Sequence, residues 1–443
     1  MSLGLLDPLG STEPLAEVFS DRSVLAAMLR FEVALARAQA IAGIIPDAVA
    51  EAIAGAAVPE AFDSSELARV ARTGGTIAIP LVAILTVRVR ADSPDAAAFV
   101  HRGATSQDVT DTALVLCLVQ AARILMADHH QLLDALRRLS NDHRDSVMLG
   151  RTLLQPAIPT TFGLKAAGWF AALSRGGKHL TQAFEEACLL QFGGACGTLA
   201  ALGADGLTVS RALARELDLP EPDAPWHTHR DRLARLVTAS AIYTGTLGKI
   251  ARDVSLLMQY EVAEVVEPGG GSSTMPHKRN PAACAVVLAA ATRVPGLAAA
   301  FLASMPQEHE RGIGNWHGEA ATLSAAVQAT GSALAAMVSI GRGLRVDHVR
   351  MRANIGATAG MVYAEGAMML LAPLLGRESA QRAIQAALEE TRRTGRDFVA
   401  ALRGDTQVLA ALDPGVLASL DRPEEYLGAA EQFRRRLLGE SID

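Results

Sequence analysis

Aromatic side chains are scarce in this 443-residue chain, which holds 3 tryptophans, 4 tyrosines and 11 phenylalanines. Pleated β faces are filled largely by aromatic and β-branched residues, so the shortage argues against a β-sandwich. Half of the residues are nevertheless hydrophobic. Much of that share is alanine, the strongest helix former, which points to closely packed helices. Cysteine is also rare. Cys117, Cys188, Cys196 and Cys284 are scattered, no pair has zinc-binding spacing, and four in so long a chain do not make a disulfide framework. They read as buried free thiols of a reducing cytoplasm. No basic excess exists: the net charge is −6 and the pI about 6.0, which leaves no nucleic-acid footprint. Asp7 and Glu13 stand where a secretory leader would be apolar. The most apolar stretch, Ala282 to Ala303, contains Arg293 and Pro295 and is expected to be broken there, so no membrane span is predicted. The expectation is a soluble cytoplasmic protein.

Glycine and proline are missing altogether between Val109 and Leu149. Leu114, Leu118, Ala121, Leu125, Leu132, Ala135 and Leu139 recur there near a 3.5-residue period, predicting one helix of roughly 60 Å. That is longer than a small domain needs and points to a bundle shared between chains. Residues 1–20 read as loop, and Ser20-Asp21 caps a helix over about 23–42. Further helices are predicted over about 161–190, from Asp231 to Val266, after Pro281 with a break at Pro295, and over about 322–340. Beyond Asp347 the chain reads as helical with breaks at Pro373, Pro414 and Pro423. The fold class is therefore all-α, in three parts: residues 1–107, a central long-helix region 108–346, and 347–443.

The chemistry concentrates in one stretch, 269–281. Gly269, Gly270 and Gly271 free the backbone for positive φ and close approach to a ligand. Ser272, Ser273, Thr274, His277, Lys278, Arg279 and Asn280 follow, nearly all hydrogen-bond donors. A donor-rich cationic loop suits an anionic substrate that gains negative charge during reaction. A phosphate loop would need glycine directly before the lysine, and Lys278 has His277 there. Asn280-Pro281 reads as an N-cap with proline at the first helical position. A second stretch, His101 to Asp108, reads either as a capped turn or, through the free N–H groups of a helix start, as an anion site formed by Thr105 and Ser106. His101 is a ligand or a structural histidine on equal terms. His227, His229 and Asp231 lack a third convincing ligand for a metal, and no metal or cofactor is expected.

Gly271 to Pro281, with its Gly-Ser-Ser-x-Met-Pro-x-Lys-x-Asn-Pro pattern, resembles the signature of the fumarase/aspartase superfamily. The resemblance implies that Ser272 transfers the proton and that Lys278 and Asn280 bind a substrate carboxylate. Ser273 and Met275 belong to the same loop. The Thr105-Ser106-x-Asp108 segment resembles the superfamily's Thr-Ser-x-Asp region, which helps bind a substrate carboxylate, and Thr152 and Gln155 are further candidate donors to the substrate. Phe19-Ser20-Asp21-Arg22, Gln191 to Ala195, Pro225-Trp226-His227-Thr228 and Met305 to Arg311 resemble the bacterial cycloisomerase branch, whose members close a lactone. That branch implies an all-helical, three-part subunit in a homotetramer, with active sites assembled from several chains. It also implies a tricarboxylate substrate, with Arg311 a candidate partner for the third carboxylate.

Many superfamily members carry His in a Gly-x-Thr-His-Leu-Gln pattern, where it protonates the leaving group. Here that position is Leu153. A strongly basic leaving group needs an acid, but a carboxylate with a pKa near ~4 does not. Leu153 therefore favours lactone chemistry over a fumarate-releasing lyase of the adenylosuccinate lyase type. A non-catalytic helical scaffold is the other alternative, against which the intact Ser272, Lys278 and Asn280 weigh. A shorter approach than in related enzymes, Val266-Glu267-Pro268, precedes the glycines.

Overall fold

The computed structural model describes residues 7–271 and 274–441. Eighteen α-helices are found among them, with two small two-stranded sheets, so the class is all-α. The first long helix, α1 (Asp21–Ile41), starts where the sequence caps it, with the Ser20 hydroxyl accepting from the Ser23 N–H. It buries Leu25, Met28, Leu29, Leu35 and Ala36 and packs on the helix Gly206–Leu217. Before it, Glu13–Val18 is a short helix with Pro14 in its first turn rather than the expected loop. Proline is well suited there, because its missing N–H would have had no helical partner.

Helix α2 (Ser106–Asp142) runs 37 residues, seven short of Leu149. From Val147 the chain instead forms an antiparallel hairpin, β1 (Val147–Thr152) with β2 (Gln155–Thr161). Val147, Met148 and Leu149 are buried. The continuous apolar pattern had hidden the change of element, since periodicity alone does not separate a buried strand from a buried helix. Helices α3 (Phe162–Ala187) and α4 (Asp231–Leu257) follow. Helix α4 ends nine residues before Val266, which lies in a two-residue strand paired with Arg345–Val346. Helix α5 (Ala282–Ser304) continues through Pro295, contrary to the expected break. A proline removes one helical hydrogen bond, and here its ring lies on the exposed side, where water can take up the freed carbonyl. Helix α6 (Asn315–Gly343) starts earlier than predicted. Pro373 also sits inside a helix, Ala364–Leu375.

Three helices, α2, α5 and α6, are long and apolar enough by length and composition to cross a membrane. In α2 and α6, 61% and 67% of the apolar window is buried in the protein, but in α5 only 28%. Two compact units emerge from the packing. One comprises residues 1–130, 175–248 and 286–336, the other 131–174, 249–285 and 337–443. The second has a core of Val147, Leu149, Ile355, Tyr363, Leu371 and Phe398 with their neighbours. The thiols are less uniform than expected: Cys117 and Cys284 are buried, Cys188 is half-buried and Cys196 exposed.

Candidate active site

Asp108, one residue into the first turn of α2 from Gln107, organises the first group of site residues. Its carboxylate accepts from Thr105 N (3.0 Å), Gly193 N (3.0 Å), Gly194 N (2.9 Å) and His227 Nε2 (2.7 Å). The carboxylate is fully buried, where unpaired donors would be costly. This explains why three separated motifs, around residues 105, 193 and 227, occur together in the sequence. Below it, Arg230 forms a bidentate pair with Asp111 (2.7 and 3.0 Å) and reaches Glu319 (2.7 Å). Its guanidinium lies over the Trp226 ring at 4.9 Å. Glu319 also accepts from Gln307 Nε2 at 2.7 Å. Burial dominates its environment and lifts its carboxyl above the usual range, with Arg230 opposing.

The structure brings Thr105, Ser106 and Arg311 together. Arg311 donates through one terminal nitrogen to Thr105 Oγ1 and through the other to Ser106 Oγ at 3.0 Å. Its Nε is buried and has no partner. Because both hydroxyl oxygens accept from the guanidinium, both hydroxyl hydrogens are left to point at a ligand. His101 lies in the left-handed region, φ +60°, with Nδ1 2.7 Å from Glu32 Oε1. Burial works against its imidazolium, but the Glu32 carboxylate and then Asp108 outweigh it and raise the pKa.

Thr152 and Gln155 face each other across the tip of the β1–β2 hairpin. Leu153 and Leu154 form the tip itself with φ of +52° and +66°. They are 96% and 77% exposed, an apolar pair where a proton donor would otherwise stand. Arg151 anchors the hairpin base through a bidentate pair to the buried Glu264 (3.0 and 2.7 Å), which Asn354 also contacts at 2.8 Å.

The glycine-rich loop is held at both feet. Gly269 and Gly270 have φ of +84° and +72°, and the Asn280 N–H donates to the Gly270 carbonyl. A Cβ on Gly270 would collide with the Asn280 carbonyl. The helix that follows is capped by Glu267, not by the Asn280 side chain. Glu267 accepts from Ala283 N at 2.7 Å and Cys284 N at 3.2 Å, while Asn280 Nδ2 turns back to Gly271 O at 3.4 Å. Lys278 is exposed, its N–H donating to Met275 O at 2.9 Å. Ser272 and Ser273 lie outside the described residues.

A cleft of about 530 Å³ opens between α1, the helix Ser64–Gly74, α2 and α6. Phe19, Met28 and Leu114 are among its apolar walls, and Arg72, Asp111 and His317 among its polar lining. His317 accepts from Gly314 N through Nδ1 at 3.3 Å, and its ring lies against Trp316, centroids 4.0 Å apart and planes tilted by 36°. Partial burial, then the Arg311 charge, push its pKa below the usual imidazole range. Its neutral form thus presents an Nε2 donor toward Gly75. Sequence reasoning had singled out neither Arg72 nor His317. Arg72 carries no motif signal, and His317 stood inside a polar run without a role.

The family described as Lyase matches residues 9–296, and that described as Adenylosuccinate lyase C-terminus matches 360–437. The chain belongs to the fumarase/aspartase lyase superfamily. It is 47% identical over 438 residues to a 3-carboxy-cis,cis-muconate cycloisomerase of Bradyrhizobium diazoefficiens, covering 98% of this chain and 97% of that protein. A 3-carboxy-cis,cis-muconate cycloisomerase of Pseudomonas aeruginosa is 44% identical, with coverage of 98% and 96%. The crystal structure of 3-carboxy-cis,cis-muconate lactonizing enzyme from Pseudomonas putida superposes with a TM-score of 0.93 at 43% identity, covering 98% of each chain.

Proposed function

We propose that this protein is a cycloisomerase interconverting 3-carboxy-cis,cis-muconate and 4-carboxymuconolactone, a step of protocatechuate catabolism in the β-ketoadipate pathway. The observation that carries the reading is the joint occurrence of full-length similarity to such enzymes and an apolar Leu153 at the hairpin tip. In the lactonising direction one substrate carboxylate oxygen forms a C–O bond to a carbon of a C=C bond, and the neighbouring carbon gains a proton. In reverse that proton is removed, the C–O bond breaks, and its electron pair leaves on a carboxylate. Such a leaving group needs no acid, so an apolar residue at position 153 is tolerated.

Ser272 delivers and removes the proton. Serine is a very weak base, so its alkoxide must be stabilised by Lys278 and neighbouring N–H groups. The extra charge of the intermediate rests on a carboxylate held by fixed donors. Lys278, Asn280 and the Gly269–Gly271 N–H groups supply one such set. Thr105, Ser106 and Arg311 supply another, with His101 behind them, and Thr152 and Gln155 add single donors rather than a separate carboxylate position. The chemistry requires no metal or cofactor. The reading carries with it a soluble cytoplasmic homotetramer of three-part subunits (1–107, 108–346, 347–443) whose active sites are shared between chains. The exposed apolar face of α5 supports the assembly, and neither membrane nor nucleic acid is a partner.

The test is turnover of 3-carboxy-cis,cis-muconate, followed as loss of ultraviolet absorbance with the lactone identified by NMR. Ser272→Ala should lower kcat by about a thousandfold. Inactivity of the wild type on this substrate combined with release of fumarate from adenylosuccinate would reassign it within the superfamily.

A further inference from the structure

We infer that Arg72 and His317 form the subsite for the third substrate carboxylate and so set the preference for tricarboxylates over dicarboxylates. This rests on the cycloisomerase reading, which supplies the tricarboxylate. It also moves the third-carboxylate role away from Arg311, whose two terminal nitrogens already engage the Thr105 and Ser106 hydroxyls. Arg311 thereby belongs with those hydroxyls to a single carboxylate position.

The charges lining the cleft single out Arg72. Asp111 and Arg230 both face it, but they pair with each other, and Arg230 is further matched by Glu319. Arg72, in the last turn of the helix Ser64–Gly74, makes no ion pair or hydrogen bond with any described residue. Among the described residues its side chain has no counter-ion, and it stands on the wall of a mostly apolar cleft. Three residues further on, the same helix is closed by Gly75 in the left-handed conformation, φ +72°, and His317 Nε2 would lie 3.8 Å from a Cβ placed there. The imidazole is oriented by the Gly314 N–H on Nδ1 and by the tilted Trp316 ring beside it. Its Nε2–H is therefore an oriented neutral donor on the cleft that the exposed Arg72 also lines. Together they offer a carboxylate one charge-assisted and one directional hydrogen bond. The apolar side chains Phe19, Met28 and Leu114 suit the unsaturated carbon skeleton between the carboxylates. Thr110 and Asp111, which also line the cleft, stand one turn of α2 beyond Ser106. The subsite thus adjoins the carboxylate position of Thr105, Ser106 and Arg311 in the same unit.

The experiment compares wild type with Arg72→Met and His317→Phe by titration calorimetry, using propane-1,2,3-tricarboxylate and glutarate as probes, alongside steady-state kinetics on 3-carboxy-cis,cis-muconate. Both substitutions lie at exposed positions, and circular dichroism should show unchanged helix content. Arg72→Met should weaken tricarboxylate binding and raise KM about tenfold or more, with glutarate affinity unchanged and kcat within about threefold. His317→Phe should act in the same sense with a smaller effect, and Arg72→Lys should recover part of the loss. Equal weakening of tri- and dicarboxylate, KM within about twofold of wild type, or failure of the wild type to bind the tricarboxylate probe overturns the assignment. Arg72-dependent tricarboxylate binding without turnover of the muconate would leave the subsite standing and overturn the cycloisomerase reading instead.

Discussion

Asp108 carries the largest single responsibility for the first group of site residues. Four donors converge on it: the local Thr105 N–H, the N–H groups of the distant Gly193 and Gly194, and His227 Nε2. In Asp108→Asn the amide NH₂ opposes at least one of those N–H groups, leaving buried donors unpaired. The expected cost is about 3 kcal/mol of stability, read from the urea midpoint, with activity falling about tenfold or more as Thr105 and Ser106 lose their setting. A loss below about 1 kcal/mol would show that Asp108 is replaceable. At this scale the sequence was partly legible. Arg311 stands 206 and 205 residues from Thr105 and Ser106, and the sequence reading gave it a separate carboxylate; their contact is now seen. The Asp108–His227 bond was invisible because each residue has a sufficient local reading, one as a helix cap and the other as a loop histidine. The Glu267 cap was missed for a related reason. Asn280-Pro281 is a good local capping signal, and a carboxylate thirteen residues upstream of it competes only once the chain has turned back.

Among the elements, the loop and its feet carry the strongest local constraint. Gly270 has positive φ and no room for a Cβ beside the Asn280 carbonyl. Gly270→Ala must therefore shift one foot of the loop. The expected outcome is a loss of activity of about a hundredfold with a thermal midpoint within about 2 °C of wild type, because Gly270 lies outside the buried core. Unchanged kcat/KM would mean that the loop feet do not set the reacting geometry. Long helices were the most legible elements, since α1, α2, α3 and α4 follow the apolar period closely. The hairpin 147–161 was not. Its first strand is a short buried apolar run that continues the helical pattern of α2, and its tip has leucines in the left-handed region, which no propensity favours. Pro295 misled in the other direction, because a proline rule written for helix interiors weakens where one side faces solvent.

At the scale of the whole molecule, the distribution of apolar surface sets the expectation. Helix α5 has 28% of its apolar window buried, and its exposed positions include Ala285, Ala289, Ala299 and Leu302. Light scattering should give a mass near four times the 46.4 kDa of one chain. Ala289→Glu should shift the population to smaller species and lower activity together, since the proposed sites need more than one chain. A fully active monomer would contradict that picture. All-α architecture was readable from alanine content and period alone, whereas the fate of the apolar faces was not, because composition cannot say whether such a surface meets its own chain or another. The anchored loop has a consequence for how such scaffolds diversify. With Gly270 and Asn280 joined by one backbone hydrogen bond and the following helix capped from outside by Glu267, the positions around Ser272 and Lys278 can be rewritten, and so retune which acid is accepted, while the helices that carry the loop stay as they are.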